Sequence, residues 1–216
     1  MPLKRGPATA SPSRLRCLFV AVVAGTLATS GSARGACPLL FETDTIHDRV
    51  AAVHPAWTAA VDRAHGELAY PTPALRSWLD YLNALQSLSA RTKIESVNRY
   101  VNRAEYVCDR DALGNPNDTW RTPAELFEFG GDCEDFAFAK YLSLRYLGFA
   151  ADDLRIVFAV DAISRTNHAF LVACTDEGQF VLDNQFATYL SLGTLAGYYV
   201  PLYALNEANW WTFPPP

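Results

Sequence analysis

The sequence predicts an α+β domain in which N-terminal helices pack on an antiparallel sheet. Apolar residues recur at helical spacing through the first half of the chain, and the second half turns to short β-type runs. Gly178 sits in a polar turn between two of those runs, the pattern of a hairpin. Helices first and strands later favour an antiparallel sheet over a parallel one.

The chain begins with a targeting pattern. Lys4, Arg5, Arg14 and Arg16 form a positive head, Cys17 to Ala28 is an apolar run, and small residues follow from Thr29 to Ala36. This is the layout of a secretory signal peptide over residues 1–36, with cleavage expected near Ala33 or Ala36. The run is short of the ~20 residues a spanning helix needs, which disfavours an uncleaved anchor. Cys37 suggests a lipoprotein, but Arg34 stands where an aliphatic residue is wanted. Residues 37–216 are then expected to form one domain, large enough to bury a core without help from disulfides.

After the signal, Leu39 to Val53 is mixed in pattern. Trp57, Val61, Ala64 and Leu68 recur at helical spacing, and Trp78, Leu82, Leu85 and Leu88 do so after the Pro71-Thr-Pro73 break. Ile94, Val97, Tyr100 and Val101 extend a third amphipathic stretch, and Glu105 to Trp120 is loop-like. A helix from Cys133 to Leu147 ends at Gly148, a suitable residue just past a helix. Strands are expected at Arg155–Val160, His168–Ala173 and Gln179–Leu182, and the Pro-rich end reads as a solvated tail.

Composition narrows the function. Half of the chain is hydrophobic and the net charge is −5, with no basic block after the signal, so nucleic acid is not an expected partner. Four of the five cysteines follow the signal: Cys37, Cys108, Cys133 and Cys174. In an oxidising compartment they allow two disulfides, or one bridge with a buried thiol and a catalytic thiol. Cys37 and Cys108 are a candidate pair, while Cys174 ends the His168 strand and is expected to be buried. No cysteine or histidine cluster has zinc-ligand spacing.

Gly130-Gly-Asp-Cys-Glu-Asp-Phe-Ala137 is the most informative stretch. Two glycines allow a tight turn, Asp132 suits an N-cap, and Asp135 stands near the place of a capping-box acid. Cys133 then opens the helix, where unpaired backbone N–H groups and the positive helix end favour thiolate. The bland reading is a small buried residue at a helix start. His168 opens a β-type run, from which it can take and return a proton; alone it reads as readily as a partly buried histidine. Asp183 ends the neighbouring run, where it can orient the imidazole; alone it reads as a turn cap. His47, His54 and His65 lie in the N-terminal helical region without strand context. Cysteine at a helix start, histidine on a strand and aspartate on the next strand make one ordered constellation, the order found in papain-like and transglutaminase-like folds.

The match is wider than the three residues. Trp120-x-Thr-Pro-x-Glu125, Gly131-Asp-Cys-Glu-Asp-Phe-Ala137, Lys140-Tyr141 and Leu144-Arg145-x-Leu147-Gly148 resemble the bacterial transglutaminase-like cysteine proteinases of the LapG type, over roughly Val97 to Gln185. Trp120 and Pro123 are read as packing and helix initiation. The resemblance implies a periplasmic cysteine endopeptidase with Cys133, His168 and Asp183 as its triad. It also implies Ca²⁺ at Asp132 and Glu134, with Asp135 as a third ligand. The implied substrate is the N-terminal region of a large surface adhesin, cut at a di-alanine-like site to control biofilm attachment. An inner-membrane cyclic di-GMP receptor would sequester the protease. Two rivals share these residues: acyl transfer to an amine, as in true transglutaminases, and a non-catalytic calcium-binding module. Incorporation of a labelled amine separates the first, and persistence of function in Cys133→Ala the second.

Overall fold

A computed structural model describes residues 37, 45–48, 50–108, 120–195 and 197–213. The expected signal peptide, the middle of the Glu105–Trp120 loop and the Pro-rich end at 214–216 lie outside the described residues. Strand β1 (Thr45–Asp48) and the single turn α1 (Val50–Val53) lead into α2 (Pro55–Glu67), α3 (Pro73–Leu85), α4 (Ala90–Val101), α5 (Pro123–Phe129) and the central helix α6 (Cys133–Tyr146). The strands β2 (Leu154–Asp161), β3 (Asn167–Thr175), β4 (Gly178–Leu182), β5 (Leu190–Ser191), β6 (Tyr199–Leu205) and β7 (Asn209–Thr212) follow. Among the described residues the seven strands make one antiparallel sheet, ordered β1-β7-β6-β2-β3-β4-β5. The predicted α+β class and its antiparallel sheet are what the chain adopts.

Local chemistry accounts for the helix starts. Thr72 Oγ1 accepts the Leu75 N–H at 3.2 Å, and Ser89 Oγ accepts the Thr92 N–H at 3.3 Å. Pro73 and Pro123 occupy first-turn positions, where a missing N–H costs nothing. Thr122 and Glu125 form a full capping box at α5, with bonds of 3.3 and 2.7 Å. Gly148, at φ +93, stops the chain just past α6.

Side chains alternate across the sheet and separate two apolar layers. Along β3, Leu171 and Ala173 join the layer under the helices, while Phe170, Val172 and Cys174 join the other. In the helical layer Trp57 meets the rings of Trp120, Phe138 and Tyr141 edge-on at 5.1 to 5.3 Å, and its indole N–H reaches the Asn206 carbonyl. Trp120 is therefore a packing residue, as expected.

Three expectations are corrected. Leu88 lies beyond the end of α3. His47 is in strand β1, opposite Trp210, because β7 offers it a partner that no local pattern reveals. Cys37 bridges Cys174, not Cys108: its N–H bonds Asp152 O and its carbonyl accepts from Arg155, which holds the residue beside the end of β3 with Cα atoms 5.4 Å apart. Cys108 is a free, exposed thiol.

Candidate active site

The site begins at the glycines before α6. Gly130 sits at φ +75, and a Cβ there would stand 2.6 Å from the Glu105 carbonyl oxygen. Gly131 N–H donates to Glu105 O at 3.1 Å and accepts Val107 N–H on its carbonyl at 2.9 Å, so the 105–107 strip lies alongside. Asp132 is the N-cap of α6 and Cys133 its first residue. Asp135 closes the turn: its Oδ2 accepts the Asp132 N–H at 3.1 Å and its Oδ1 accepts the Arg121 N–H at 2.7 Å.

The hairpin of β3 and β4 supplies the other two residues. His168 Nε2 and Asp183 Oδ1 are 2.9 Å apart, and both side chains are buried. Asp183 Oδ1 also accepts the Gln185 N–H, and its Oδ2 accepts the Tyr199 hydroxyl, each at 2.9 Å. Burial pushes the Asp183 carboxyl up, but the His168 bond and charge, with the Gln185 and Tyr199 bonds, hold it below the usual carboxylate range. The Tyr199 ring stacks on the imidazole at 5.4 Å. Because Nε2 faces Asp183, Nδ1 is the ring nitrogen left to exchange a proton. Gln185 Nε2 lies 3.5 Å from it, at the outer limit of a hydrogen bond.

Cys133 joins this pair through β3. The backbone N–H of Ala169, the residue after His168, favours the Cys133 thiolate. The thiol itself donates to Glu134 Oε2 at 3.2 Å, and no hydrogen bond joins it to His168 among the described residues. Burial pushes the thiol strongly up, and the Glu134 charge and bond, then the Asp132 charge, push it further. In this arrangement the thiol is held protonated and turned toward Glu134.

The three acids expected to bind a cation divide their work. The Asp135 oxygens are engaged by backbone N–H groups, and burial, its largest influence, raises this carboxyl to about 7. Glu134 stands beside Asp132 at the start of α6, and burial, its largest influence, raises its carboxyl. Among the described residues no group of three His, Cys, Asp or Glu side chains is placed to hold a metal. Two adjoining, largely desolvated carboxylates still form an oxygen donor set suited to a hard cation. Asp132 and Glu134 therefore fit one, with main-chain oxygens or water completing its shell.

Several contributors had not been read from the sequence. Tyr199 comes from β6, remote in the chain, and gives no local signal. Gln185 follows Asp183 directly. Asn102 Nδ2 donates to the carbonyls of Asp183 and Phe186 at 3.0 and 2.9 Å, and Asn98 Nδ2 to that of Phe186 at 3.3 Å. These two amides, one helical turn apart on the inward side of α4, clamp the loop carrying Asp183. Asn98 between the apolar Val97 and Val101 was the available clue.

Comparisons with known proteins bear on the family and the fold. The family model of the bacterial transglutaminase-like cysteine proteinases (BTLCP) matches residues 82–213. Among solved structures, calcium-bound Legionella pneumophila LapG is similar at 26% identity and a TM-score of 0.58, over 74% of this chain and 87% of that one. The EGTA-treated form of LapG aligns at the same identity and TM-score, over 72% and 86%. No curated protein matches the chain. With the family model spanning 132 of 216 residues (82 through 213), the chain belongs to the bacterial transglutaminase-like cysteine proteinases.

Proposed function

We propose that this cysteine proteinase is a calcium-dependent endopeptidase using Cys133, His168 and Asp183. The observation that carries the reading is the buried His168–Asp183 pair, with the thiol of Cys133 set against the next residue of the same strand. His168 takes the thiol proton on Nδ1, and the Cys133 sulfur adds to the peptide carbonyl carbon. The Cys133 backbone N–H, unpaired at a helix start, donates to the developing oxyanion. The imidazolium then protonates the departing amine as the C–N bond breaks, leaving a thioester on Cys133. A water deprotonated by His168 attacks that thioester, the acid product leaves, and the proton returns to the thiolate. Asp183 holds the imidazole orientation throughout and stabilises its charged form.

Asp132 and Glu134 would hold the Ca²⁺, while Asp135 fixes the turn that presents them. A bound cation would cancel the negative charge beside the sulfur and so favour thiolate. The chemistry of the pair supports this: the charges of Glu134 and Asp132 both push the Cys133 thiol up, where a thiolate needs a neutral or positive neighbour. That LapG has been solved in calcium-bound form is in keeping with it.

The setting is proposed from the resemblance. The protein acts in the periplasm after loss of residues 1–36, cuts the N-terminal region of a large surface adhesin to control biofilm attachment, and is sequestered by an inner-membrane cyclic di-GMP receptor. The test is cleavage of an adhesin N-terminal fragment containing a di-alanine site, in calcium and in excess EGTA. Cleavage is expected in calcium, suppressed by EGTA and restored by added Ca²⁺; full activity in EGTA would remove the calcium requirement.

A further inference from the structure

Beside the turn that presents Cys133 lies a short stretch of unpaired strand edge. The Gly131 N–H donates to the Glu105 carbonyl at 3.1 Å, and the Gly131 carbonyl accepts the Val107 N–H at 2.9 Å, so Tyr106 and Gly131 form a parallel bridge. Both bonds use the residues that flank Tyr106. The N–H and C=O of Tyr106 itself therefore point the other way, out of the bridge. Tyr106 is 54% exposed, and neither group has a hydrogen-bond partner among the described residues.

This edge is fixed in place. Gly130 approaches so closely that a Cβ there would stand 2.6 Å from both the Glu105 carbonyl oxygen and Val107 Cγ2. The Tyr106 ring lies 6.3 Å from that of Phe136, in the first turn of α6. Strip and helix start are held together, and Cys133 follows the bridged glycine by two residues. An exposed extended backbone with an outward donor and acceptor is a template for pairing with another extended chain. The extended chain that an endopeptidase must hold beside its thiol is its substrate.

We propose that the main chain of Tyr106 binds the substrate as an added β-strand, one substrate residue giving its N–H to the Tyr106 carbonyl and taking the Tyr106 N–H on its own carbonyl. This rests on the reading of Cys133 as nucleophile. Neighbouring strands lie ~4.8 Å apart, so a strand outside Tyr106 runs ~10 Å from the Gly131 chain; at ~3.3 Å per residue, about three residues of substrate cover that distance. The paired residue accordingly stands within about three residues of the cut. Such bonds read backbone and not side chains, and they select a segment that is extended at the site.

The test uses the full chain and a synthetic peptide spanning the di-alanine site of the adhesin fragment. Each non-scissile peptide bond near the cut is replaced in turn by an ester, which deletes one N–H. One sensitive position within about three residues of the cut is expected, where KM rises roughly three- to tenfold and kcat holds. Tyr106→Pro deletes the outward N–H but keeps the Glu105 carbonyl and Val107 N–H of the bridge. It should raise KM for the all-amide peptide by a similar factor and shrink the ester penalty at that position. Tyr106→Ala keeps every main-chain group and should keep the sensitive position. Equal tolerance of all the esters by the wild type overturns the proposal, whether or not the proline variant folds. A folded Tyr106→Pro protein with an unchanged KM also overturns it, as does loss of the sensitive position in Tyr106→Ala, which would assign the effect to the phenol. The two readings fail separately. Cleavage by Cys133→Ala, or none by the wild type, sinks the endopeptidase reading and Tyr106 with it, whereas cleavage that requires Cys133 and tolerates every ester sinks only Tyr106.

Discussion

Replacing Asp183 by Asn removes one negative charge and little else, which makes it the sharpest probe of the pair. The carboxylate accepts three bonds: from His168 Nε2 and the Gln185 N–H on Oδ1, and from the Tyr199 hydroxyl on Oδ2. An amide oxygen at the Oδ1 position keeps the first two, and an amide nitrogen at Oδ2 can donate to the Tyr199 oxygen, which is able to accept. The Asn102 bond goes to the backbone carbonyl and survives. The fold should therefore persist, and the loss is electrostatic. A hydrogen bond to a charged group contributes about 1.5–3 kcal/mol and a neutral one about 0.5–1.5 kcal/mol. The difference, about 1–1.5 kcal/mol, corresponds to roughly a tenfold change in rate. Losing the adjacent anion withdraws that stabilisation from the imidazolium that forms as His168 takes the thiol proton. Cleavage of the adhesin fragment by Asp183→Asn should therefore show at least a roughly tenfold drop in kcat/KM, in protein that circular dichroism shows to be folded. A folded Asp183→Asn protein with an unchanged kcat/KM would refute the assignment.

Gly130→Ala forces a side chain into φ +75 with its Cβ 2.6 Å from the Glu105 carbonyl, and should destabilise by about 1–3 kcal/mol in urea unfolding. Gly131→Ala puts its Cβ 2.5 Å from Asp135 Oδ2; it should displace the acid that closes the α6 turn and abolish cleavage at a smaller stability cost. Cys174→Ser breaks the bridge to Cys37 and should lower stability by about 2–5 kcal/mol, matched by reduction of the wild type, with no loss of catalysis in protein that remains folded. Burial lowers Lys140 to about 7, whereas the unfolded chain keeps this proton to about pH 10.4. Between those values the unfolded state binds the extra proton, so this residue makes stability rise with pH across the interval. Urea unfolding of Lys140→Met should show a flatter rise; an identical slope would count against a buried, depressed lysine.

Much of the fold and site was legible because it rests on local chemistry. Gly130-Gly131, Asp132 and Asp135 specify the turn into α6 within six residues, and Gly178 specifies the hairpin that carries His168 toward Asp183. What sequence could not show depends on distant partners. Strand β1 exists because β7 pairs with it, and Pro201 inside β6 hides that strand, which is accommodated where the β2 register shifts at Phe158/Ala159. The Cys37–Cys174 bridge spans 137 residues, beyond any spacing rule. The direction of the Cys133 thiol was not legible, because it depends on side-chain rotamers: Glu134 accepts from the thiol while Asp135 is turned to the backbone.

The central claim is that Cys133 is the nucleophile, and one comparison tests it most directly. Wild type and Cys133→Ala, both checked for folding by circular dichroism, are incubated with the adhesin N-terminal fragment in calcium, and the products are followed by mass spectrometry. The account predicts cleavage by wild type and none by Cys133→Ala. Cleavage at the same site by the folded Cys133→Ala protein would contradict it.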